Sequence, residues 1–578
     1  MPHSDVHFEV FCRQSAKDAW VLHEVLTVRE KALSAAAELI ASKQAKGVKV
    51  VRETYDGETG DYTSLSIFED GHTKLALDPA AEELPSAAPC FRPEDLYTRH
   101  ARATLTRLLR GHLTRHKLTT IELIHRADCL EKLESSGTTF QHAVQKMAVA
   151  QAASSGKPVQ QIIKALNDLA ARAVSRVYRD SRRGHFPVVG NGAFGALADK
   201  LASAPDGIYV FNAALARHLA PCKSWDEKLA TLLTVTPQAP ESGPGRALLL
   251  DAIDNLIAEI LGSSAALHEL LGERENLGQA LLVLVHLFLG ILSEEEAKSE
   301  VLTHLAEHFI GDGMPNARGA VASRIIAELK NTKRLCPTSR LDELRMLRKI
   351  ANTLSLGGER HLSHEALVAG FTLRSRRLIA AEAIADYLAD VSTPDDKLER
   401  LLRVEEGITG GENKRHLGAV VQQIVSASAF EDHFVANSTP AIARLRRLAE
   451  LQARVQRSHF PDHQREPFST RLDQIAQEVE SRGRVLKTLQ DSNAGPAARA
   501  LAILKLCANN VLTEGLAGKA RELVLANLAQ PEFLAGYIAQ AKTDTEALTP
   551  ERAMADLLAM LQHAGISREG ALRSMRAA

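Results

Sequence analysis

Aromatic side chains are scarce in this chain, at 4% of 578 residues, with only two tryptophans. Its 45% hydrophobic content is therefore carried mostly by Leu and Ala, with Ile and Val. That mixture disfavours extended sheets and favours packed helices, because Ala and Leu are among the strongest helix formers. Net charge is lacking too. Seventy Lys and Arg oppose 71 Asp and Glu, leaving −1. No global field draws the protein to nucleic acid or acidic lipid, so any such affinity must come from a local patch. Cysteines are few and dispersed, at Cys12, Cys90, Cys129, Cys222, Cys336 and Cys507, and none belongs to a C-x-x-C pair. A disulfide framework or a structural zinc site needs clustering, so free thiols in a reducing cytoplasm are expected. No apolar run is long enough to cross a bilayer. The most apolar one, from Ala280 to Leu292, contains His286 and is bracketed by charged triplets, which predicts a buried core helix and no membrane insertion. The opening residues carry no basic stretch followed by an apolar core, so no secretory signal is expected.

Catalytic signatures are missing as well. There is no G-x-S-x-G elbow, no D-F-G, and no P-loop, since "EGLAGKA" at 514–520 has neither the glycine spacing nor a Ser or Thr after Lys519. No cysteine has a local signature of a nucleophile. No cofactor is expected.

What is present is organised in blocks. Residues 1–78 read as a small α/β module of order β-β-α-β-β. "HFEVFCR" and "AWVLHEVL" alternate as strands. A helix follows, with Ala32, Ala35, Ala36, Leu39 and Ile40 on one face. "GVKVVRETYD" and "DYTSLSIFED" form a second hairpin about residues 56–60. Such a sheet leaves an edge or a face for a partner. Residues 79–97 form a Pro-rich linker, ending in a helix start at Pro93-Glu94-Asp95. Beyond it the pattern predicts a large helical body of two or three bundles, with helical domains at 98–235, 246–435 and 440–578. The breaks are "TPQAPESGPG" at 236–245 and a weaker one at 436–440. No fixed repeat period is found. The fold class is therefore mainly α with a small N-terminal α/β module.

Three strings carry candidate chemistry. Gly190, Gly192 and Gly195 spell G-x-G-x-x-G, the letters of a dinucleotide-binding loop. That loop needs a strand before it and an acid about 20 residues on. Here a long helix precedes it, Asn212 stands near the acid's position, and the β-like "GIYVF" is the one extended segment that follows. A loop between helices is the expectation. The helix before it sets Arg172, Arg176, Arg179 and Arg183 on one face, at spacings of four, three and four. Such a stripe repels itself unless acids or phosphates neutralise it, and Asp168 and Asp180 can do part of that. It is the candidate anion-binding surface, together with the glycine loop. Arginines also populate the segments 99–115 and 444–457, where they are expected to snorkel over Leu and Ala cores.

The third string is His304-Leu-Ala-Glu307-His308, which places two imidazoles one helical turn apart. It resembles the inverted zinc-peptidase motif over these five residues. The resemblance implies zinc on His304 and His308, Glu307 as base, and a further downstream glutamate, for which Glu382 is the only nominee. Two other pairs, His112 with His116 and His361 with His364, read as surface histidines.

These features lead to the expectation of a non-enzymatic, cytoplasmic interaction or regulatory protein of bacterial style, a scaffold or adaptor that binds a protein partner and could self-associate. A binder of nucleic acid or a phosphate ligand at Arg172–Arg183 is one alternative, and a zinc-dependent hydrolase at His304, Glu307 and His308 the other.

Overall fold

The computed structural model describes residues 6–14, 20–55, 62–71, 89–190, 192–311, 313–357, 362–436, 438–544 and 549–576. Helix makes up 72% of the structure, and a small antiparallel sheet stands at its N-terminal end. The protein is thus mainly α with a small N-terminal α/β module.

The module follows from alternation. Strands β1 (Val6–Arg13), β2 (Val21–Leu26), β3 (Gly47–Tyr55) and β4 (Tyr62–Gly71) pair in the order β2-β1-β3-β4, every pair antiparallel. Helix α1 (Arg29–Ala41) lies on one face. Its Ala32, Ala36 and Leu39 pack on Phe8, Val10, Val48 and Val50, all fully or nearly buried. A bulge between Val10 and Phe11 shifts the register with β2. Edge strand β2 keeps Val21, Leu22 and Val25 exposed. The turn at 56–60 and most of the Pro-rich linker lie outside the described residues.

The described chain divides into two compact units. One comprises Met1–Thr338 with Lys349–Leu367, the other Ser339–Arg348 with Val368–Ala578. The helical part of the first opens with a 3-10 turn at Pro93–Tyr97, held by the Asp95 carboxylate, which accepts from the Phe91 and Arg92 amides at 2.8 and 2.9 Å. The helix start read at Pro93 is thus this single turn. Thr98 is extended and caps the next helix. Helices α2 (Arg99–Leu108), α3 (Arg110–His116), α4 (Thr120–His125), α5 (Ala127–Ser135), α6 (Thr138–Ser155) and α7 (Val159–Arg182) follow. The chain bends at Leu109, so the arginines of 99–115 sit on two helices rather than one. Next come α8 (Phe194–Leu201), α9 (Gly207–His218), α10 (Trp225–Val235) and α11 (Pro244–Gly262). "GIYVF" is not extended. It begins α9, where Tyr209, Phe211 and Ala213 to Ala216 are buried, because the helical period running through "NAALARH" outweighs the β-preference of its first residues. The segment 236–245 lies inside this unit, as a 3-10 turn and the start of α11. The apolar run forms the core helix Leu277–Leu289.

In the second unit, arginines again find acids. On the helix Ala441–Arg457, Arg447 pairs with Asp395, Asp396 and Glu399, and Arg454 with Glu399 and Glu406. Among the described residues, no helix is long and apolar enough to cross a membrane.

One buried ion pair ties α4 to α10. Lys228, 2% exposed, donates to both oxygens of Glu122, which is 0% exposed, at 2.7 Å. Glu122 also accepts from the Thr119 amide at 2.9 Å, completing a capping box at the start of α4. Lys228→Met is expected to cost at most about 3–5 kcal/mol, because it leaves the buried Glu122 carboxylate with Arg126, 3.3 Å away, as its remaining cation. Adding Glu122→Gln, which keeps the cap and removes the charge, is expected to restore more than half of the loss. Urea unfolding read from Trp225 fluorescence in a Trp20→Phe background measures both; additive losses would contradict the pairing.

Candidate functional site

Helix α7 has two faces of opposite character. On the polar one, Arg172, Arg176, Arg179 and Arg183 form the stripe predicted by their spacing, but the structure gives them different surroundings. Arg176 is only 11% exposed at its side chain and is ringed by acids. Its Nη1 donates to Glu94 and its Nη2 to Asp206 at 2.7 Å, while its Nε faces Asp180 at 3.7 Å. Its guanidinium lies 4.2 Å from the centre of the Tyr209 ring. Arg179 donates to Asp180 at 3.1 Å. Arg172 donates to two backbone carbonyls, Phe91 at 2.8 Å and Asp168 at 3.4 Å, and among the described residues no carboxylate pairs with it. Arg183 is exposed at the end of the stripe.

Beneath Arg176 lies a buried aromatic triangle. Tyr97, His125 and Tyr209 stand 5.1 to 5.3 Å apart, ring centre to ring centre, and Phe186 packs edge-on against Tyr209. The Tyr209 hydroxyl reaches Asp180 at 3.4 Å. The His125 Nδ1 lies 2.7 Å from the Ile121 carbonyl, which can only accept, so Nδ1 carries a proton. Its Nε2 and the Tyr97 hydroxyl are buried without a hydrogen-bond partner. Burial pushes the His125 imidazole down to about 4 and the Tyr97 phenol up to about 12.

On its other side α7 borders an apolar chamber of about 660 Å³. The 3-10 turn and helices α2 and α4 to α7 contribute its wall, with Leu105, Leu109, Leu130, Phe140, Met147 and Val174 among its residues. Its single acid, Glu134, accepts from the Tyr178 hydroxyl at 2.8 Å. Helix α6 forms one side and is flanked by Gly137 and Gly156, whose φ of 69° and 67° lie in the region that favours glycine. A second cleft, of about 450 Å³, is lined by Pro93, Arg172, Arg176 and Arg179, and it shares the lining residues Ala171 and Ser175 with the chamber.

The glycine loop connects α7 to α8 without a preceding strand. Gly192 has a φ of 88°. A Cβ on Gly195 would fall 2.2 Å from the Gln238 carbonyl oxygen, so this glycine lets α8 pack closely. Gly190 faces open space, and Asn191 is outside the described residues. On the helix Glu300–Phe309, His304 and Glu307 are exposed and His308 half-buried. Among the described residues, no group of three or more His, Cys, Asp or Glu side chains is placed to hold a metal ion. Glu382 belongs to the other compact unit. His112 is buried rather than on the surface, its ring 4.6 Å from that of His116. His361 lies outside the described residues.

The chain matches no protein-family model, no curated protein and no solved structure.

Sequence reasoning reached the stripe and Asp180 but missed Glu94, Asp206, Tyr97, His125 and Tyr209. Glu94 is 82 residues from the arginine it pairs with, and Asp206 is 30 away. The available signal was rarity: a chain with seven tyrosines places two of them here.

The buried imidazole carries a pH dependence. Its folded pKa is depressed, so the unfolded chain binds the proton first as pH falls. Stability is complete above the ordinary value near 6.5 and declines towards the folded value of about 4, by roughly 3 kcal/mol in all. Substitution His125→Phe keeps the stacked ring and removes the titration. Between about pH 7 and about pH 4, the natural protein is expected to lose roughly 3 kcal/mol more than the variant, by the same Trp225-reported urea unfolding. Parallel curves would contradict the assignment.

Proposed function

We propose that the protein is a non-enzymatic binding protein of regulatory or scaffold type, and that its helical body captures an apolar group in the chamber beside α7. The chamber itself is the observation behind this reading. Its volume of about 660 Å³ falls in the range of about 300–1,000 Å³ typical of small-molecule sites, and its lining is mostly apolar, as such sites are.

Binding rather than turnover fits the nearby groups. A general acid or base works best with a pKa near ambient pH. Here His125 is held down to about 4 and Tyr97 up to about 12, both primarily by burial. Arg176 and its three acids are committed to one another. The two glycines flanking α6 give that helix hinges at both ends, a route for a ligand to enter.

An uncharged solvatochromic naphthalene dye tests the reading. It is expected to bind saturably, one per chain, with a blue-shifted emission. Val174→Trp, which fills the chamber from α7, is expected to weaken binding at least about tenfold while circular dichroism is retained, the equivalent of about 1.4 kcal/mol. Ala170→Phe provides a second, independent filling. Non-saturable binding, or binding indifferent to both substitutions in folded protein, would remove the chamber as the site.

A further inference from the structure

We propose that the chamber and the adjoining arginine cleft form one site for a long-chain anionic amphiphile, its hydrocarbon chain in the chamber and its carboxylate or phosphate head at Arg172. The proposal rests on the chamber being a binding site and adds the chemistry of what it binds. Two observations carry it.

The chamber wall is mostly apolar, and its one acid is already engaged by the Tyr178 hydroxyl. The ligand's buried part is therefore chiefly hydrocarbon, since most polar groups along its length would be left without a partner.

Ala171 and Ser175, both exposed, line the chamber on one side and the arginine cleft on the other, so the surroundings change there from apolar to cationic. The three arginines there are not equivalent. Arg176 is consumed by Glu94, Asp206 and Asp180, and Arg179 leans on Asp180. Arg172 follows Ala171 in sequence and is held in place by the carbonyls of Phe91 and Asp168, which orient it without neutralising it. A guanidinium has five donors in a planar fork, so Arg172 has donors left for an oxyanion. Ser175, one turn on and exposed, adds a hydroxyl at the same boundary.

The test displaces the neutral dye with straight-chain carboxylates of eight, ten and twelve carbons, and with dodecanol, all below their aggregation limits. Burying a methylene is worth about a fourfold gain in affinity, so displacement is expected to strengthen about fourfold per added carbon until the chamber is full. Dodecanoate is expected to outcompete dodecanol. Arg172→Gln is expected to weaken dodecanoate about 10–100-fold, the usual range for a hydrogen bond to a charged group, and to leave dodecanol unchanged. Arg172→Lys is expected to recover part of the loss. Vesicles of phosphatidylglycerol, offered as competitor beside the free acid, identify the source. Displacement by vesicles, with the protein floating alongside them, assigns the head to a membrane lipid; displacement by the free acid alone assigns it to a dissolved one. Both results support the anionic head. Equal displacement by dodecanoate and dodecanol, or a dodecanoate affinity indifferent to Arg172→Gln in folded protein, overturns the anionic head while leaving the chamber as an apolar site. Saturable dye binding that neither compound displaces overturns the amphiphile altogether, and absence of dye binding takes the chamber reading down with it.

Discussion

A guanidinium with little access to water has to be matched where it stands, and Arg176, 11% exposed, is the charge on which this region depends. Its counter-charges come from three places: Glu94 in the turn before the first body helix, Asp180 one helical turn along α7, and Asp206 just before α9. Meeting them fixes α7 against both neighbours, and the faces of Tyr97 and Tyr209 close over what remains. Breaking a buried charge cluster by removing one partner typically costs several kcal/mol, while the intact cluster adds little net stability. The cluster's contribution is therefore best seen as specificity. It holds the turn at Pro93 and the start of α9 in one arrangement about α7, and that arrangement frames the chamber.

The same device recurs wherever this chain has too few aromatic rings to lock helices together. Lys228 and Glu122 pin α10 to α4. Arg102, also buried, reaches Glu259 and Asn255 on α11 and the Tyr97 carbonyl beside it. In the second unit, Arg447 and Arg454 lace one helix to the acids of Pro394–Gly407. Leu and Ala surfaces slide and re-register at small cost, whereas a buried cation admits one partner geometry. A near-neutral chain with 24% charged residues can therefore be charge-rich inside its helical body and still present no dominant field outside it.

What could be read from the sequence was what depends on neighbours along the chain. The stripe from Ala32 to Ile40 became α1, the alternation of "HFEVFCR" became β1, and the run from Ala280 became a core helix, because each pattern states its own period. The arginine spacing gave their common face correctly for the same reason. Long-range pairing left no such mark. Nothing near Arg176 announces Glu94, and nothing near Arg172 announces that its donors go to a backbone carbonyl 81 residues away. The β-branched and aromatic letters of "GIYVF" misled because five residues are too few to separate the two periods. The bend at Leu109 lacks both Pro and Gly at the bend itself, so it had no breaker to announce it. The glycine motif was legible only in its context: its letters suggest phosphate, while it lies between two helices, where the Gln238 carbonyl accounts for Gly195 by packing and a positive φ accounts for Gly192.

The chamber was the least legible feature, and its origin is geometric. Helices α2 to α5 are 10, 7, 6 and 9 residues long, whereas α6 and α7 have 18 and 24. Short helices that change direction every two or three turns cannot lay a continuous ridge along a long hairpin. Filling the mismatch would take large rings, and this sequence spends few: Tyr97, Phe140 and Tyr178 reach the wall, while the rest is mostly Leu, Val and Ala. Helix α7 therefore carries two unequal stripes. Along one, Arg176 and Arg179 are answered by acids from within the chain, while Arg172 and the terminal Arg183 have no acid partner among the described residues; along the other, the apolar surface faces space that the chain does not fill. What would complete both stripes at once is an apolar chain that ends in a negative charge.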